Sequence, residues 1–195
     1  LLAPGIFSPM SGVGGALAAF DFDSDGDLDL LAGAPQLSVR ENTGLHARPM
    51  VYCTAKVNSL GCTPAIGSSG FASAAAISGF VVRANQVRNS KVGLLLYGVR
   101  GRAVTPFSGG HLCLLSPVRR TSGLMSGGST SGSDCTGVYS IDMSAFAAGV
   151  LGGSPLPALR VVGTAVDGEF WGRDPGFPAP NNTSLSDALE YLVEP

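Results

Sequence analysis

The sequence predicts a mainly β protein, an antiparallel β-sandwich or jelly-roll-like barrel with a small β subregion around an acidic loop near its start. Three observations carry this. Short β-rich runs recur along the chain, closed by glycine or polar residues. No segment holds the sustained 3.6-residue apolar period of a long amphipathic helix. Gly 28 and Pro 13 supply the many turns that short strands require. With 195 residues the chain makes one large or two small domains, enough for a buried core.

Residues 1–11 are read as an N-terminal extension. Leu1 to Met10 is apolar and uncharged, so it is either tucked onto its own domain or inserted elsewhere. An extended apolar terminus can add a strand to the sheet edge of a neighbouring subunit. Such head-to-tail contacts do not close, and they make filaments. Leu2, Ile6 and Phe7 are the candidate donor-strand residues, with Pro4 and Pro9 limiting the insertable length. The chain opens on Leu1 rather than methionine, which reads as a processed or truncated form.

Residues 12–45 contain the most specific chemistry. Asp21 to Asp29 reads DFDSDGDLD, aspartates at alternating positions around one glycine. Uncompensated, these like charges repel and hold the loop open. Calcium takes six to eight oxygen ligands at about 2.3–2.6 Å, and a D-x-D-x-D-G loop wraps carboxylates around it. Asp21, Asp23 and Asp25 are the expected side-chain ligands, and Gly26 makes the turn. Asp27 offers its backbone carbonyl, and Asp29 closes the site directly or through water. Magnesium, which keeps its waters and octahedral geometry, is the weaker candidate. The twelfth loop position, glutamate in an EF-hand, is Ala32 here, so the loop is of another kind.

The flanks sharpen this. Gly14 to Phe20 precedes the loop, Leu28 to Pro35 follows it, and Leu37 to Gly44 ends in Asn42-Thr43-Gly44. Over about residues 12–44 this resembles a single FG-GAP (VCBS-type) repeat, in which a strand feeds a calcium loop and two further strands follow. In that family such repeats form propeller blades. A single copy cannot bury its own faces, so it must pack on other structure.

Past a boundary near His46 to Pro49, residues 50–195 read as the β module. Expected strands are Phe80–Ala84, Val92–Val99, Leu112–Leu115 after a Gly109-Gly110 turn, Gly137–Ile141, Leu159–Val166 and Glu169–Gly172. Asp142 to Ala148 is a short helix, capped by Asp142 with Phe146 inward, and a second short helix is expected over Leu185–Leu192. Cys53, Cys62, Cys113 and Cys135 lack C-x-x-C spacing and neighbouring histidines, which argues against zinc. An even cysteine count beside a calcium-type loop fits an oxidising, extracellular or cell-surface setting. Of three connectivities, Cys53–Cys62 with Cys113–Cys135 is favoured because each bond closes a short loop.

Tyr52 to Pro64, Tyr97 to Arg102, Gly137 to Asp142 and Phe170 to Asn182 together resemble a C-terminal module of secreted bacterial proteins. The resemblance covers about residues 52–195 and implies no named activity. It implies further cysteines where this chain has Gly168 and Glu194, so one family disulfide and its anchoring of the C-terminal segment are missing.

Composition narrows the function classes. Charged residues are only 13 % and the net charge is −2, with no basic cluster beyond Arg119-Arg120, which argues against nucleic acid. So little charge reads as a large core or as surface buried in an assembly. No apolar run approaches a membrane span of about 18 residues. Nucleophile-elbow, zinc-protease and phosphate-loop motifs are absent, and His46 and His111 are the only histidines. Glu169 and Asp174 flank Trp171, a glycosidase-like or sugar-platform pattern, but an Arg173–Asp174 ion pair beside a packing aromatic is the stronger reading. An enzyme is not expected. The leading expectation is a calcium-stabilised structural subunit of an extracellular fibre, with copies of itself as partners. The alternative is a calcium-stabilised module that binds carbohydrate through Phe170, Trp171 and Phe177.

Overall fold

The computed structural model describes residues 17–20, 22, 28–33, 38–40 and 47–195. Short β-branched and leucine-rich runs build two groups of sheets. In the first, β1 (Leu17–Phe20), β2 (Asp29–Ala32) and β3 (Ser38–Arg40) pair antiparallel in that order. Phe20 lies opposite Asp29 in the register, so β1 stops just before the acidic stretch and β2 starts on its last aspartate. Asp21, Asp23, Asp25 and Asp27 lie outside the described residues, as do Leu2, Ile6 and Phe7 of the expected donor strand.

The second group is the module proper. Its larger sheet runs β10 (Arg119–Arg120), β7 (Val92–Gly98), β13 (Ala165–Arg173), β14 (Thr183–Leu192), β4 (Met50–Tyr52), with β11 (Leu124–Met125) also on β7. Facing it is β12 (Gly137–Asp142), β6 (Val81–Val87), β5 (Ala65–Ser69). Every pairing within these two sheets is antiparallel, and neither sheet closes on itself. The architecture is therefore a sandwich rather than a barrel. The core between the layers holds Phe80, Val82, Leu95, Tyr97, Tyr139, Ile141, Phe146, Phe170, Leu189 and Tyr191, all buried. Burying side chains of this size contributes about 1.5–3 kcal/mol each before ordering costs. Gly93 and Gly172 sit opposite each other in the register, and a Cβ on either would collide with the Tyr139 ring. The two glycines are the bed on which that ring lies.

A third layer covers the other face of the larger sheet. β8 (Arg102–Phe107) and β9 (Gly110–Leu114) form a hairpin whose turn residues Ser108 and Gly109 both have positive φ, 48° and 77°. That is the two-residue turn whose twist matches paired strands. It corrects the expected Gly109-Gly110 turn by one residue.

The short helix α1 (Met143–Ala147) forms as expected, with Asp142 Oδ1 accepting from Ala145 N at 2.9 Å and Phe146 buried. The second expected helix is instead strand β14. Leu185, Ala188, Leu189 and Leu192 mimic a helical period because β14 carries a bulge. Glu169 pairs with Ala188 and Trp171 with Leu185, so one extra residue sits between them on β14. The bulge flips side-chain parity, leaving Leu185 beneath the hairpin and Leu189 in the core. Ser186 Oγ takes up the Phe170 N–H at 2.9 Å there. Leu159–Val162 is likewise not strand: Pro157–Arg160 is a 3-10 turn, Val161 and Val162 are exposed, and β13 begins only at Ala165.

The disulfides are Cys53–Cys113 and Cys62–Cys135, correcting the expected short-loop pairing. Asn58 makes the short loop self-sufficient, since its Oδ1 accepts from Leu60 N at 2.9 Å and Cys62 N at 3.1 Å. Cys62 is thereby left to bond elsewhere, and the hairpin brings Cys113 beside the end of β4. The C-terminal segment is held by the backbone: Glu194 N donates to Ala72 O, Ala74 N to Glu194 O, and Val193 N to Thr164 O.

Candidate functional site

Strand alternation decides which side chains are presented. On β13, Val166 and Phe170 point into the core, while Asp167, Glu169, Trp171 and Arg173 point to the face carrying the hairpin. Phe170 is therefore no ligand platform: it is buried and stacks on Tyr139 at 5.9 Å. Trp171, half-buried, lines a cleft of about 470 Å³. Leu94, Leu96 and Arg120 form its floor from β7 and β10, since Trp171 lies opposite Leu94, and Leu96 opposite Arg120. Phe107 and Ser108 at the hairpin turn, with Asn182 and Thr183 at the start of β14, make its walls. Leu96, Phe107 and Arg120 also line an adjoining cleft of about 600 Å³ that continues past Arg119, Thr121 and Ser122.

Phe177 belongs to a separate hollow with Lys56 and His111, across the hairpin turn. Lys56 Nζ donates to Ser108 O at 2.7 Å and Asn181 O at 2.6 Å, and sits 4.6 Å from the Phe177 ring centre. That single ammonium pins the turn to the 181–182 loop and so fixes one wall of the Trp171 cleft. The three-aromatic platform thus separates into one core residue and two residues in different cavities. Phe107, which sequence reasoning did not single out, joins Trp171 only through the hairpin fold-back, and Arg120, noted there only as half of a basic pair, joins it through the pairing of β10 with β7.

The carboxylates flanking Trp171 do not meet. Glu169 is fully buried under the hairpin, where Oε2 accepts from Cys113 N at 2.8 Å and Oε1 has no partner. Burial pushes its pKa up to about 8, against a smaller lowering by the Cys113 N–H. Asp167, buried beside it, accepts from the Tyr52 hydroxyl at 2.8 Å, and its carboxyl is also raised, chiefly by burial. Asp174 ion-pairs with Arg88 at 2.9 Å, not with Arg173 as expected. Ser59 N and Oγ donate to it at 2.7 and 2.5 Å, and Gly176 N at 3.2 Å. Burial alone would raise Asp174; the hydrogen bonds from Ser59, Arg88 and Gly176 outweigh it and hold the carboxyl below the usual range. These acids tie loops and layers together.

At the acidic stretch, Asp29 is buried and its Oδ2 accepts from Phe22 N at 2.7 Å, so the last aspartate turns back on the loop's beginning.

Residues 13–46 match the family model of the FG-GAP repeat. No curated protein and no solved structure matches the chain. The repeat and the two disulfides suggest an extracellular or surface-type β domain. Among the described residues no helix is long and apolar enough to cross a membrane.

Proposed function

We propose that this chain is a calcium-stabilised, non-catalytic binding module of an extracellular or cell-surface protein, and that it binds carbohydrate in the Trp171 cleft. The observation that carries the reading is a half-buried tryptophan lining an open cleft with polar groups at its rim. An indole face packs on the C–H face of a sugar ring, and Ser108, Asn182 and Arg120 offer hydrogen bonds to its hydroxyls. The bed is rigid, because Trp171 lies within an antiparallel ladder on both sides. Calcium at Asp21, Asp23, Asp25, Asp27 and Asp29 would neutralise the loop between β1 and β2 and lock that hairpin. Affinity electrophoresis in gels cast with a panel of polysaccharides tests the reading. Retardation by at least one glycan, lost in Trp171→Ala with an unchanged melting temperature, is expected. Binding indifferent to Trp171→Ala would refute the cleft as the site.

The fibre reading draws on a second observation. A cavity of about 320 Å³ opens between the layers beside Ala47, Arg48 and Pro49, and core residues Phe80, Leu189 and Tyr191 line it with edge strand β5. A sheet edge beside a cavity that reaches core side chains is what a donated strand with Ile6 and Phe7 would fill. Deleting residues 1–10 should then leave soluble subunits that take up the decapeptide in trans. Unchanged fibres after the deletion would sink it.

A further inference from the structure

We propose that the Trp171 cleft is built for an acidic polysaccharide, a polyuronate, with Arg120 and Arg173 taking its carboxylates. This rests on the carbohydrate reading of the same cleft. Among the described residues, the two adjoining cavities are lined by Arg119, Arg120 and Arg173 and by no aspartate or glutamate. All three arginines are exposed, and none makes an ion pair or side-chain hydrogen bond among the described residues. Elsewhere the arginines reaching acids are committed: Arg88 to Asp174 and Arg102 to Glu190. On a chain of net charge −2, two uncommitted guanidinium groups, Arg120 and Arg173, thus lie on one face along the groove, while Arg119, in register with core-facing Tyr97, projects to the other side of its strand.

The nearest acid on this face adds little opposing charge. Glu169 lies in the register between Leu96 and Ala188 but is sealed under the hairpin, and at neutral pH it is mostly protonated. The field along the cleft is therefore positive, and low-dielectric walls concentrate it.

Spacing and chemistry narrow the ligand. Arg120 pairs with Leu96, Leu96 with Glu169, and Arg173 lies four residues further along β13. Strand spacing and rise put the two arginine backbones about 16 Å apart. Arginines anchored that far apart suit a chain of sugars better than one ring, and Trp171 lies between them on β13 to stack an intervening ring. Arg120 and Arg173 are bordered by neutral polar groups, Ser108 and Thr121 or Asn182 and Thr183, and among the described residues no lysine lines the cleft. Isolated planar forks suit single planar carboxylates, one per sugar, better than a densely sulfated chain.

The test uses the full chain with calcium at physiological salt. Affinity is measured for polygalacturonate, dextran sulfate, neutral dextran and cello-oligosaccharides, and single-stranded DNA. Polygalacturonate should bind best, and Arg120→Gln and Arg173→Gln should each weaken it at least about tenfold, the loss expected for a charged hydrogen bond. Arg100→Gln, exposed and outside the cleft, should leave it unchanged. Preference for a neutral glycan, still dependent on Trp171, overturns the acidic ligand while leaving the carbohydrate reading standing. Equal or better binding of dextran sulfate or DNA overturns the polyuronate assignment in favour of bare electrostatics. If no glycan binds, both readings fall.

Discussion

Replacing Glu169 by Gln should stabilise the protein, and by an amount that grows with pH. The side chain is fully buried, its Oε2 holds the Cys113 N–H, and its Oε1 faces no donor. Folding therefore favours the protonated acid, and the pKa rises from 4.5 to about 8. For an acid whose folded pKa is raised, the native state binds more protons than the unfolded chain, so stability falls as pH climbs from the unfolded pKa to the folded one. The slope is about 1.4 kcal/mol per pH unit within that window. Between pH 4.5 and 7 the wild type should lose roughly 3 kcal/mol relative to Glu169→Gln, with the gap levelling off above about pH 8. Glutamine keeps the size and an acceptor for Cys113 N, so packing is nearly preserved. Urea unfolding at a series of pH values, with disulfides intact and calcium constant, reads the difference directly. A gap that stays constant from pH 4.5 to 8 would show that Glu169 titrates normally and that the hairpin does not seal it.

Asp174 should behave with the opposite sign. Its carboxyl is held below the usual range, so its contribution is full above the ordinary aspartate pKa and is lost as pH falls through the folded value. Asp174→Ala, which strands Arg88 and Ser59, should cost about 3–5 kcal/mol in denaturant unfolding at pH 7. Bridges spanning 60 and 73 residues should each contribute about 4 kcal/mol in the chain-entropy account. A non-reduced digest should show peptides joining Cys53 to Cys113 and Cys62 to Cys135, and a Cys53–Cys62 peptide would contradict the fold-back. Calcium at a hundredfold excess over Kd should add about 2.7 kcal/mol to the unit that contains the loop. Asp23→Ala or Asp25→Ala should abolish that gain while Asp142→Ala should not, and an unchanged melt in excess chelator would exclude the metal.

The sequence by itself determined what is local. Strand-forming runs around Val82, Leu95 and Tyr139, the Asp142 cap, and the strands flanking Asp21 to Asp29 follow from composition and spacing within a few residues. Trp171 could be singled out as the one tryptophan near charged neighbours. Tertiary structure decided whatever depended on parity and fold-back. The bulge at Ser186–Asp187 turned a helical-looking leucine pattern into a strand with leucines on both faces, because an extra residue shifts a period of two by one. Alternation sent Phe170 to the core and Trp171 to the cleft. The hairpin return placed Cys113 beside Cys53 and sealed Glu169, and its turn brought Phe107 to Trp171. Those partners lie tens of residues apart in the chain. Their proximity is set by sheet order, which local propensity does not encode.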